Sequence, residues 1–345
     1  MMPFSDLPIK DAEGKPNETL RVSRLCFGSL CMGPLQSDLS AEEGAKVICR
    51  AFELGVNFID TAQLYQTYPH IRAALLACGD KNKKDKIIIS TKTYAHTKKL
   101  AEEALNEALG ELGREYIDIF LLHEQESIHT LFGHIEALEY LFEQKKAGKI
   151  KAVGISTHHV AGVRGALEFN QTYKKDRLDI IHPMYNMTGL GIIPERGENP
   201  ENAVLQMESA LEEAKKSGFF VFGMKALGGG NLFALAERAL GFAFGKSFMD
   251  SVAVGMKSLA EVEANVHFAK FGKFPDNYHE NYLKCGEKKR LHIDFWCEGC
   301  QKCVLACPQN ALSINPDGKA ACDSGRCVLC GYCSAACEAF AIKII

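Results

Sequence analysis

The chain has 345 residues, of which 47% are hydrophobic and 24% charged, a composition that excludes wholesale disorder and is typical of a globular protein with a sizeable core. A net charge of −3 provides no basic excess, so we expect neither nucleic acid nor an anionic membrane as a partner. The length exceeds a single fold of about 250 residues and predicts more than one domain.

The N-terminal residues MMPFSDLPIKDAEG lack the apolar run of a signal peptide, and no stretch of about 18 residues is apolar throughout. We therefore expect a cytoplasmic protein. The chain has 14 cysteines, and in a reducing compartment they require a metal or redox explanation, because structural disulfides are rare there.

From residue 24 to 268, short apolar runs alternate with longer amphipathic stretches. This alternation is typical of βα units that build a parallel sheet. The sequence predicts eight strands, near residues 24–28, 56–60, 86–92, 117–123, 150–156, 178–182, 219–224 and 250–256. Eight such units predict an α/β fold of the TIM (β/α)8 barrel type over residues 1–268.

Polar side chains fall at the predicted carboxyl ends of these strands, where TIM barrels place their chemistry. Asp60 ends the second strand, Lys92 the third and His123 the fourth. Tyr65 lies in the loop just after the second strand. Each residue alone has a structural explanation, since an aspartate can cap a helix and a histidine can be satisfied in the core. The four together favour a catalytic site.

The segments NFIDTAQLY, ISTK and LLHE resemble the aldo/keto reductase superfamily, and the resemblance covers roughly residues 20 to 270. It implies an NAD(P)-dependent oxidoreductase that acts on a small carbonyl or alcohol substrate, with a catalytic tetrad formed by Asp60, Tyr65, Lys92 and His123. The segments DTAQLYQTYPHIRAAL, VGISTHHV and GMKALGGGN resemble a branch in which a dicluster ferredoxin tail follows the barrel.

Hydride transfer to a carbonyl leaves negative charge on oxygen, so the protein must supply a proton and stabilise that charge. Tyr65 is the candidate acid, and we expect the ammonium of Lys92 to lower its pKa. Asp60 would hold Lys92 as an ion pair. His123 would hydrogen-bond the substrate oxygen.

The same resemblance implies a nicotinamide cofactor, with its phosphates after the last two strands. It places Ser156 at the carboxamide, with His182 where many relatives carry glutamine and with Asn186 slightly beyond. Met224 stands where relatives often stack an aromatic ring. The other candidate contacts are Lys225, Leu227, Gly228, Gly255, Lys257, Ser258, Glu261 and Asn265.

Glu261 occupies the position at which many NADP-dependent relatives carry arginine. A carboxylate repels a 2′-phosphate but accepts a hydrogen bond from a ribose hydroxyl, so the sequence favours NADH. The alternative is a solvated residue on the last helix. His158 and His159, just past the fifth strand, are either loop residues or substrate contacts.

Residues 269–290 lose the strand alternation and gain charge, proline and tyrosine, which predicts a connecting segment. Its basic end, Lys288 to Arg290, is either a solvated face or a surface for an acidic electron carrier of the ferredoxin or flavodoxin type.

Eight cysteines of the last segment form a duplicated motif. Cys297, Cys300, Cys303 and Cys307, followed by proline, fit C-x2-C-x2-C-x3-C-P, and Cys327, Cys330, Cys333 and Cys337 repeat the spacing. Three closely spaced thiolates bind one 4Fe-4S cluster, whereas the fourth ligates the other cluster in two-cluster ferredoxins. The predicted ligand sets therefore cross: Cys297, Cys300, Cys303 and Cys337 bind one cluster, and Cys307, Cys327, Cys330 and Cys333 the other.

Zinc is the alternative metal, but zinc modules group their cysteines by twos rather than threes. Residues 291–345 resemble bacterial dicluster ferredoxins, which implies a small α+β domain with two 4Fe-4S clusters. Glu338 replaces the usual second proline, and a carboxylate buried there would lower a cluster's reduction potential. Cys285 and Cys322 lie outside the motifs and are not expected to be ligands.

Three functions stay open, because nicotinamide passes two electrons as hydride whereas each cluster accepts one. The first is a carbonyl reductase or alcohol dehydrogenase whose clusters serve a partner or support the tail. The second is a ferredoxin-linked oxidoreductase with another cofactor, such as flavin, in the barrel. The third is a non-enzymatic electron carrier or redox sensor, against which the complete tetrad argues.

Overall fold

The computed structural model describes residues 1–10, 15–77, 86–278 and 289–345. Its first elements are two antiparallel strands, β1 (Phe4–Lys10) and β2 (Pro16–Ser23). One face of this hairpin packs against the innermost side chains of the barrel and buries Leu7, Ile9, Leu20 and Val22. The sequence did not predict these strands, because charged residues and Pro8 interrupt their apolar alternation.

The predicted TIM barrel is confirmed: eight parallel strands close into a barrel in chain order. They overlap the predicted ranges and are β3 (Leu25–Gly28), β4 (Phe58–Asp60), β5 (Ile88–Thr93), β6 (Ile117–Leu122), β7 (Ile150–Thr157), β8 (Ile180–Pro183), β9 (Phe220–Gly223) and β10 (Ser251–Gly255). The last strand pairs with the first, with Val252 opposite Leu25. Most of these strand residues are buried on both faces, which explains why the strands read as continuous apolar runs.

Helices surround the barrel. They are α1 (Ala41–Glu53), α2 (Tyr68–Ala77), α3 (Lys98–Leu112), α4 (Ile128–Gly133), α5 (Ile135–Lys146), α6 (Val160–Thr172), α7 (Ala203–Lys216), α8 (Ala236–Phe244) and α9 (Leu259–Phe271). Short 3-10 turns occur at Leu30–Met32, Gln63–Tyr65, Pro200–Asn202 and Phe233–Leu235. Within the described ranges, none of the helices combines the length and apolarity needed to span a bilayer.

Local sequence explains how these helices begin. Ser40 precedes α1, and its hydroxyl accepts a hydrogen bond from the backbone amide of Glu43 at 3.2 Å. The Glu43 carboxylate in turn accepts from the Ser40 amide at 3.0 Å. This reciprocal pair satisfies amides that the first helical turn leaves without partners. The last helix of the barrel, α9, continues to Phe271, beyond the start of the predicted connecting segment.

The C-terminal part is a small α+β unit, as the resemblance to dicluster ferredoxins implied. Strands β11 (Leu291–Ile293) and β14 (Ile342–Ile344) pair antiparallel, as do β12 (Leu312–Ile314) and β13 (Ala320–Cys322). The short helices α10 (Lys302–Leu305) and α11 (Tyr332–Ala335) complete the duplicated arrangement. Residues 279–288, which include Cys285 and Lys288 of the predicted connection, lie outside the described residues.

This unit packs onto the carboxyl-terminal mouth of the barrel. Phe340 is buried in the barrel's main hydrophobic cluster. The backbone amide of Ile344 donates to the carbonyl oxygen of Gly229, in the loop after β9, at 3.1 Å. Arg290 donates to the carbonyl oxygen of Gln36 at 2.8 Å. The two parts of the chain therefore share a surface at the edge where TIM barrels place their active sites.

Candidate active site and cluster sites

Asp60 and Lys92 form the predicted ion pair inside the barrel mouth. The Lys92 ammonium donates to both Asp60 carboxylate oxygens, each at 2.7 Å, and to the carbonyl oxygen of Thr61 at 2.7 Å. Both charged side chains are buried. Burial favours the neutral acid, but Lys92 and His182, through their charges and hydrogen bonds, together outweigh it and hold the pKa of Asp60 below its ordinary value.

Tyr65 lies over this ion pair on the 3-10 turn Gln63–Tyr65. The Lys92 nitrogen is 5.0 Å from the centre of the Tyr65 ring. The expectation that Lys92 lowers the pKa of Tyr65 is wrong for this structure: burial, and then the charge of Asp60, raise that pKa well above its usual range. The hydrogen bonds of Lys92 go to Asp60 and Thr61, and its nitrogen lies over the face of the Tyr65 ring.

His123 lies beside Tyr65, with the two ring centres 5.7 Å apart and the rings edge to face. Its other face stacks on Tyr94 at 4.3 Å. Burial, followed by the charge of Lys92, holds the pKa of His123 well below its usual range, so the imidazole is neutral. Its buried Nδ1 has no hydrogen-bond partner among the described residues. The structure thus brings the four predicted tetrad residues together.

A cleft of about 210 Å³ runs from Asp60 and Tyr65 past the ends of β9 and β10. Among the predicted cofactor contacts, seven line it: His182, Lys225, Leu227, Gly255, Lys257, Glu261 and Asn265. Met224 also lines it. The cleft reaches the start of α9, and a helix N-terminus offers amides and a positive dipole end to a phosphate. A cleft whose lining extends from a tyrosine to the start of such a helix fits a dinucleotide.

The other predicted contacts have structural partners. Ser156 accepts a hydrogen bond from the Glu124 amide at 2.9 Å, and Ser258 caps α9 by accepting from the Glu261 amide. The amide of Asn186 is used within its own loop, where it donates to the Leu190 carbonyl oxygen at 2.9 Å. The residues that line the cleft do not include Ser156, Asn186, Ser258 or Gly228.

His182 belongs to the floor of the tetrad. Its Nδ1 lies 2.6 Å from the carbonyl oxygen of Phe222, and its Nε2 lies 3.5 Å from the Asp60 carboxylate. Burial lowers the pKa of His182, although the charge of Asp60 acts in the opposite direction. The imidazole therefore lies beside the Asp60 carboxylate and also lines the cleft.

The sequence did not predict several residues of the cleft wall. Ile344 and Ile345 come from the C-terminal unit, and Cys31, Gln36 and Tyr278 come from segments beside the barrel mouth. Lys289, predicted only as part of a basic surface, also lines the cleft. No local pattern marks these residues, because their positions depend on how the tail folds back onto the barrel.

The cluster cysteines are gathered into the two crossed sets. One cavity, of about 220 Å³, is lined by Cys297, Cys300, Cys303 and Cys337. A second cavity is lined by Cys307, Cys327, Cys330 and Cys333. All eight thiols are free of disulfides. Across the described ranges, no three cysteine, histidine or acidic side chains converge around a single point as closely as the ligands of one metal ion.

Backbone amides point at cysteine sulfurs of both sets. The amide of Ala320 lies 3.4 Å from the sulfur of Cys297. The amides that follow the fourth cysteines, on Ala311 and Ala341, lie 3.3 Å from Cys307 and Cys337 respectively. Such N–H···S bonds stabilise thiolates and tune the potentials of iron-sulfur clusters, so the surroundings of these cysteines fit the chemistry of the predicted 4Fe-4S clusters.

Glu338 and Cys322 lie next to the cluster cysteines, and they differ in their exposure to solvent. Glu338 is 82% exposed and pairs with Lys302, so the burial that would let its charge lower a cluster potential is absent. Cys322 is half-buried beside the second set, and burial together with the neighbouring Cys327 raises the pKa of Cys322 to about 12.

The comparisons with known proteins agree with this geometry. The model of the aldo/keto reductase family matches residues 24–238, and that of the 4Fe-4S dicluster domain matches residues 296–341. The methylglyoxal reductase DkgA of Salmonella typhimurium is 30% identical over 124 residues, which are 35% of this chain and 44% of that protein. The aldehyde reductase YPR1 of Saccharomyces cerevisiae is 26% identical over 211 residues, 51% of this chain and 67% of that protein.

Solved structures support the fold. The aldo-keto reductase AKR11C1 from Bacillus halodurans, in its holo form, superposes with a TM-score of 0.58 at 21% identity, over 82% of this chain and 96% of its own. The chain spans less than half the length of the methylglyoxal reductases that it matches. The chain belongs to the aldo/keto reductase family and carries a 4Fe-4S dicluster domain after its barrel.

Proposed function

We propose that the protein is an NAD(P)H-dependent oxidoreductase that reduces a small aldehyde or ketone, or oxidises the corresponding alcohol. The observation that carries the proposal is that Asp60 and Tyr65 line the cleft, while Lys92 pairs with Asp60 and His123 lies against the Tyr65 ring. Methylglyoxal reductase and aldehyde reductase are among the proteins to which the barrel is similar.

A reduced nicotinamide, when bound in the cleft, supplies a hydride. Tyr65, kept protonated by burial, donates its phenolic proton to the oxygen that gains negative charge. The neutral imidazole of His123 donates a hydrogen bond to the same oxygen and orients the carbonyl. Asp60 fixes the position of Lys92, whose ammonium nitrogen lies 5.0 Å from the centre of the Tyr65 ring.

We infer a preference for NADH over NADPH from Glu261. This residue lines the cleft at the start of α9, and its carboxylate accepts a hydrogen bond from the Lys257 amide at 2.8 Å. A carboxylate held there repels a 2′-phosphate and accepts a hydrogen bond from a ribose hydroxyl. Tighter binding of NADPH than of NADH would contradict this inference.

We also propose that the crossed cysteine sets hold two 4Fe-4S clusters that exchange single electrons with a partner or support the C-terminal unit. Cys300 and Cys330 are exposed, one in each set. Each cluster would therefore have an edge at the surface, where an electron carrier of the ferredoxin or flavodoxin type can approach.

One anaerobic experiment tests the proposal. Protein with reconstituted clusters is mixed with NADH or NADPH, its cluster absorbance is recorded, and a panel of aldehydes that includes methylglyoxal is then added. We expect cofactor oxidation that depends on the aldehyde and leaves the clusters unbleached. Bleaching by the cofactor alone would instead favour the ferredoxin-linked oxidoreductase. The absence of both responses would contradict an enzymatic role.

A further inference from the structure

Lys225 occupies an unusual place at the barrel mouth. It follows β9 and Met224, and its backbone has a left-handed φ of +59°. A residue other than glycine adopts this conformation only when its surroundings enforce it, and such positions cluster at functional sites. Lys225 lines the same cleft as Asp60 and Tyr65.

The ammonium of Lys225 has no acidic partner at contact distance. Its nitrogen lies 3.0 Å from Nε2 of His158 and 4.5 Å from the centre of the Phe340 ring. Neither neighbour supplies a negative charge. Phe340 is uncharged, and His158 is neutral because burial and the charge of Lys225 hold its pKa well below the usual range. Within the part of the chain that the structure describes, Lys225 makes no ion pair.

The acidic side chains whose charges reach Lys225 are engaged elsewhere. Asp294 pairs with Lys343, which is itself buried. Glu124 accepts a hydrogen bond from the Tyr94 hydroxyl at 2.7 Å, and its other oxygen lies 3.5 Å from Nε2 of His158. The ammonium of Lys343 adds a like charge near Lys225.

Lys225 is half-buried in the wall of the cleft, and a cation that loses part of its hydration without gaining a counter-charge is unfavourable. In keeping with this, burial and then the charge of Lys343 lower the pKa of Lys225 to about 7. An anion bound beside Lys225 would restore the missing counter-charge. Lys92 is not available to bind an anion, because it already donates hydrogen bonds to Asp60 and to the Thr61 carbonyl oxygen.

We propose that Lys225 binds a carboxylate of the substrate, so that the substrate is an aldehyde or ketone that also carries a carboxylate group. His158 accepts one proton of the ammonium and leaves two for the carboxylate oxygens. This inference rests on the proposed function. It also assigns Lys225 to the substrate instead of to the cofactor phosphates. Lys257 and the start of α9, at the far end of the cleft, remain the candidate contacts of the phosphates.

The test compares 4-carboxybenzaldehyde with methyl 4-formylbenzoate, two aldehydes that differ in charge and little else. For the wild type we expect kcat/KM to be higher for the carboxylate by about 30-fold, and Lys225→Met should reduce this ratio to about one. Lys225→Arg should keep part of the preference. Lys98→Met, at a lysine side chain that is 60% exposed, is the matched control and should leave the ratio unchanged.

Two kinetic results would overturn the proposal. The first is equal use of both aldehydes by the wild type, or a ratio that Lys225→Met does not change. The second is a rise of more than about tenfold in the dissociation constant of the cofactor in Lys225→Met, since that result would assign the lysine to the cofactor phosphates.

A binding measurement separates this inference from the proposed function. The unreactive anion benzoate and its neutral analogue benzamide are titrated into cluster-loaded wild type and into Lys225→Met by calorimetry. Benzoate should bind to the wild type at least about tenfold more tightly than benzamide, and Lys225→Met should remove the difference. Equal binding of the two compounds, or a preference that survives in the variant, contradicts the inference even if no aldehyde is reduced.

Discussion

Lys92 donates hydrogen bonds to both carboxylate oxygens of Asp60 at 2.7 Å, in a part of the barrel where both side chains are buried. Removing one member of a buried ion pair leaves the other charge without compensation. We predict that Lys92→Met lowers the free energy of unfolding by about 3–5 kcal/mol, measured by denaturant titration of the barrel.

A double variant isolates the cause of this loss. Lys92→Met combined with Asp60→Asn should lose less stability than the two single variants together, because no charge is then left unpaired. The exposed control Lys98→Met should change the free energy of unfolding by no more than about 0.5 kcal/mol. Additive losses would show that Lys92 acts through packing alone.

The second prediction concerns the contact between the C-terminal unit and the cleft. A Cβ at Gly230 would clash with the carbonyl oxygen of Ile344, and Ile344 lines the cleft. Gly230→Ala should displace β14 and raise the dissociation constant of NADH by about tenfold, which is about 1.4 kcal/mol. Fluorescence titration measures this change.

Gly197 provides a matched control for the strain that alanine introduces at a glycine with positive φ. Its φ of +87° is close to the +86° of Gly230, but a Cβ there would meet nothing within 4 Å. Gly197→Ala introduces the same kind of backbone strain without the clash. It should leave NADH affinity unchanged. An equal effect of the two substitutions would mean that Ile344 does not shape the cofactor cleft.

The third prediction follows from the crossed cysteine sets. Cys307 and Cys330 line the same cavity, whereas Cys307 and Cys300 line different ones. The double variant Cys307→Ala/Cys330→Ala should therefore lose one cluster and retain about four irons per chain. Cys307→Ala/Cys300→Ala should lose both clusters. Iron analysis after anaerobic reconstitution decides, and the reverse pattern would show that each motif binds its own cluster.

The fourth prediction uses the ionisation of Lys225, whose pKa is lowered to about 7. The titratable and charged groups that act on it are His158, Glu124, Lys343, Asp294 and Lys92. The ammonium is present below this pKa and is lost as pH rises through it, so anion binding should weaken with rising pH. Benzoate should bind about tenfold more weakly at pH 8 than at pH 6.

Arginine stays charged over this pH range. Lys225→Arg should therefore bind benzoate with little change between the same two pH values. A wild-type profile that is flat, or that rises with pH, would show that another group governs anion binding.

Local features explain what the sequence predicts correctly. The strands are found because burial on both faces makes them apolar, and Asp60, Lys92 and His123 could be placed at the barrel mouth because they lie at the ends of such strands. The regular spacing of the cysteines similarly predicts the two sets that line the two cavities.

Tertiary contacts explain what the sequence missed. Phe340 and Ile344 join the barrel mouth only because the tail folds back onto the loop after β9. The pKa of Tyr65 rises rather than falls because the fold buries the phenol, and this burial cannot be read from the local sequence. Lys92 donates its hydrogen bonds to Asp60 rather than to the phenol. Neither effect is encoded in the spacing of residues.

The central claim is that Tyr65 supplies the proton for carbonyl reduction. The most direct test compares wild type with Tyr65→Phe in aldehyde-dependent NADH oxidation, with the dissociation constant of NADH measured on the same samples. We predict a loss of about 10²–10⁴-fold in kcat, as is typical when a general acid is removed, with unchanged NADH affinity. Near-normal turnover by Tyr65→Phe would contradict this account.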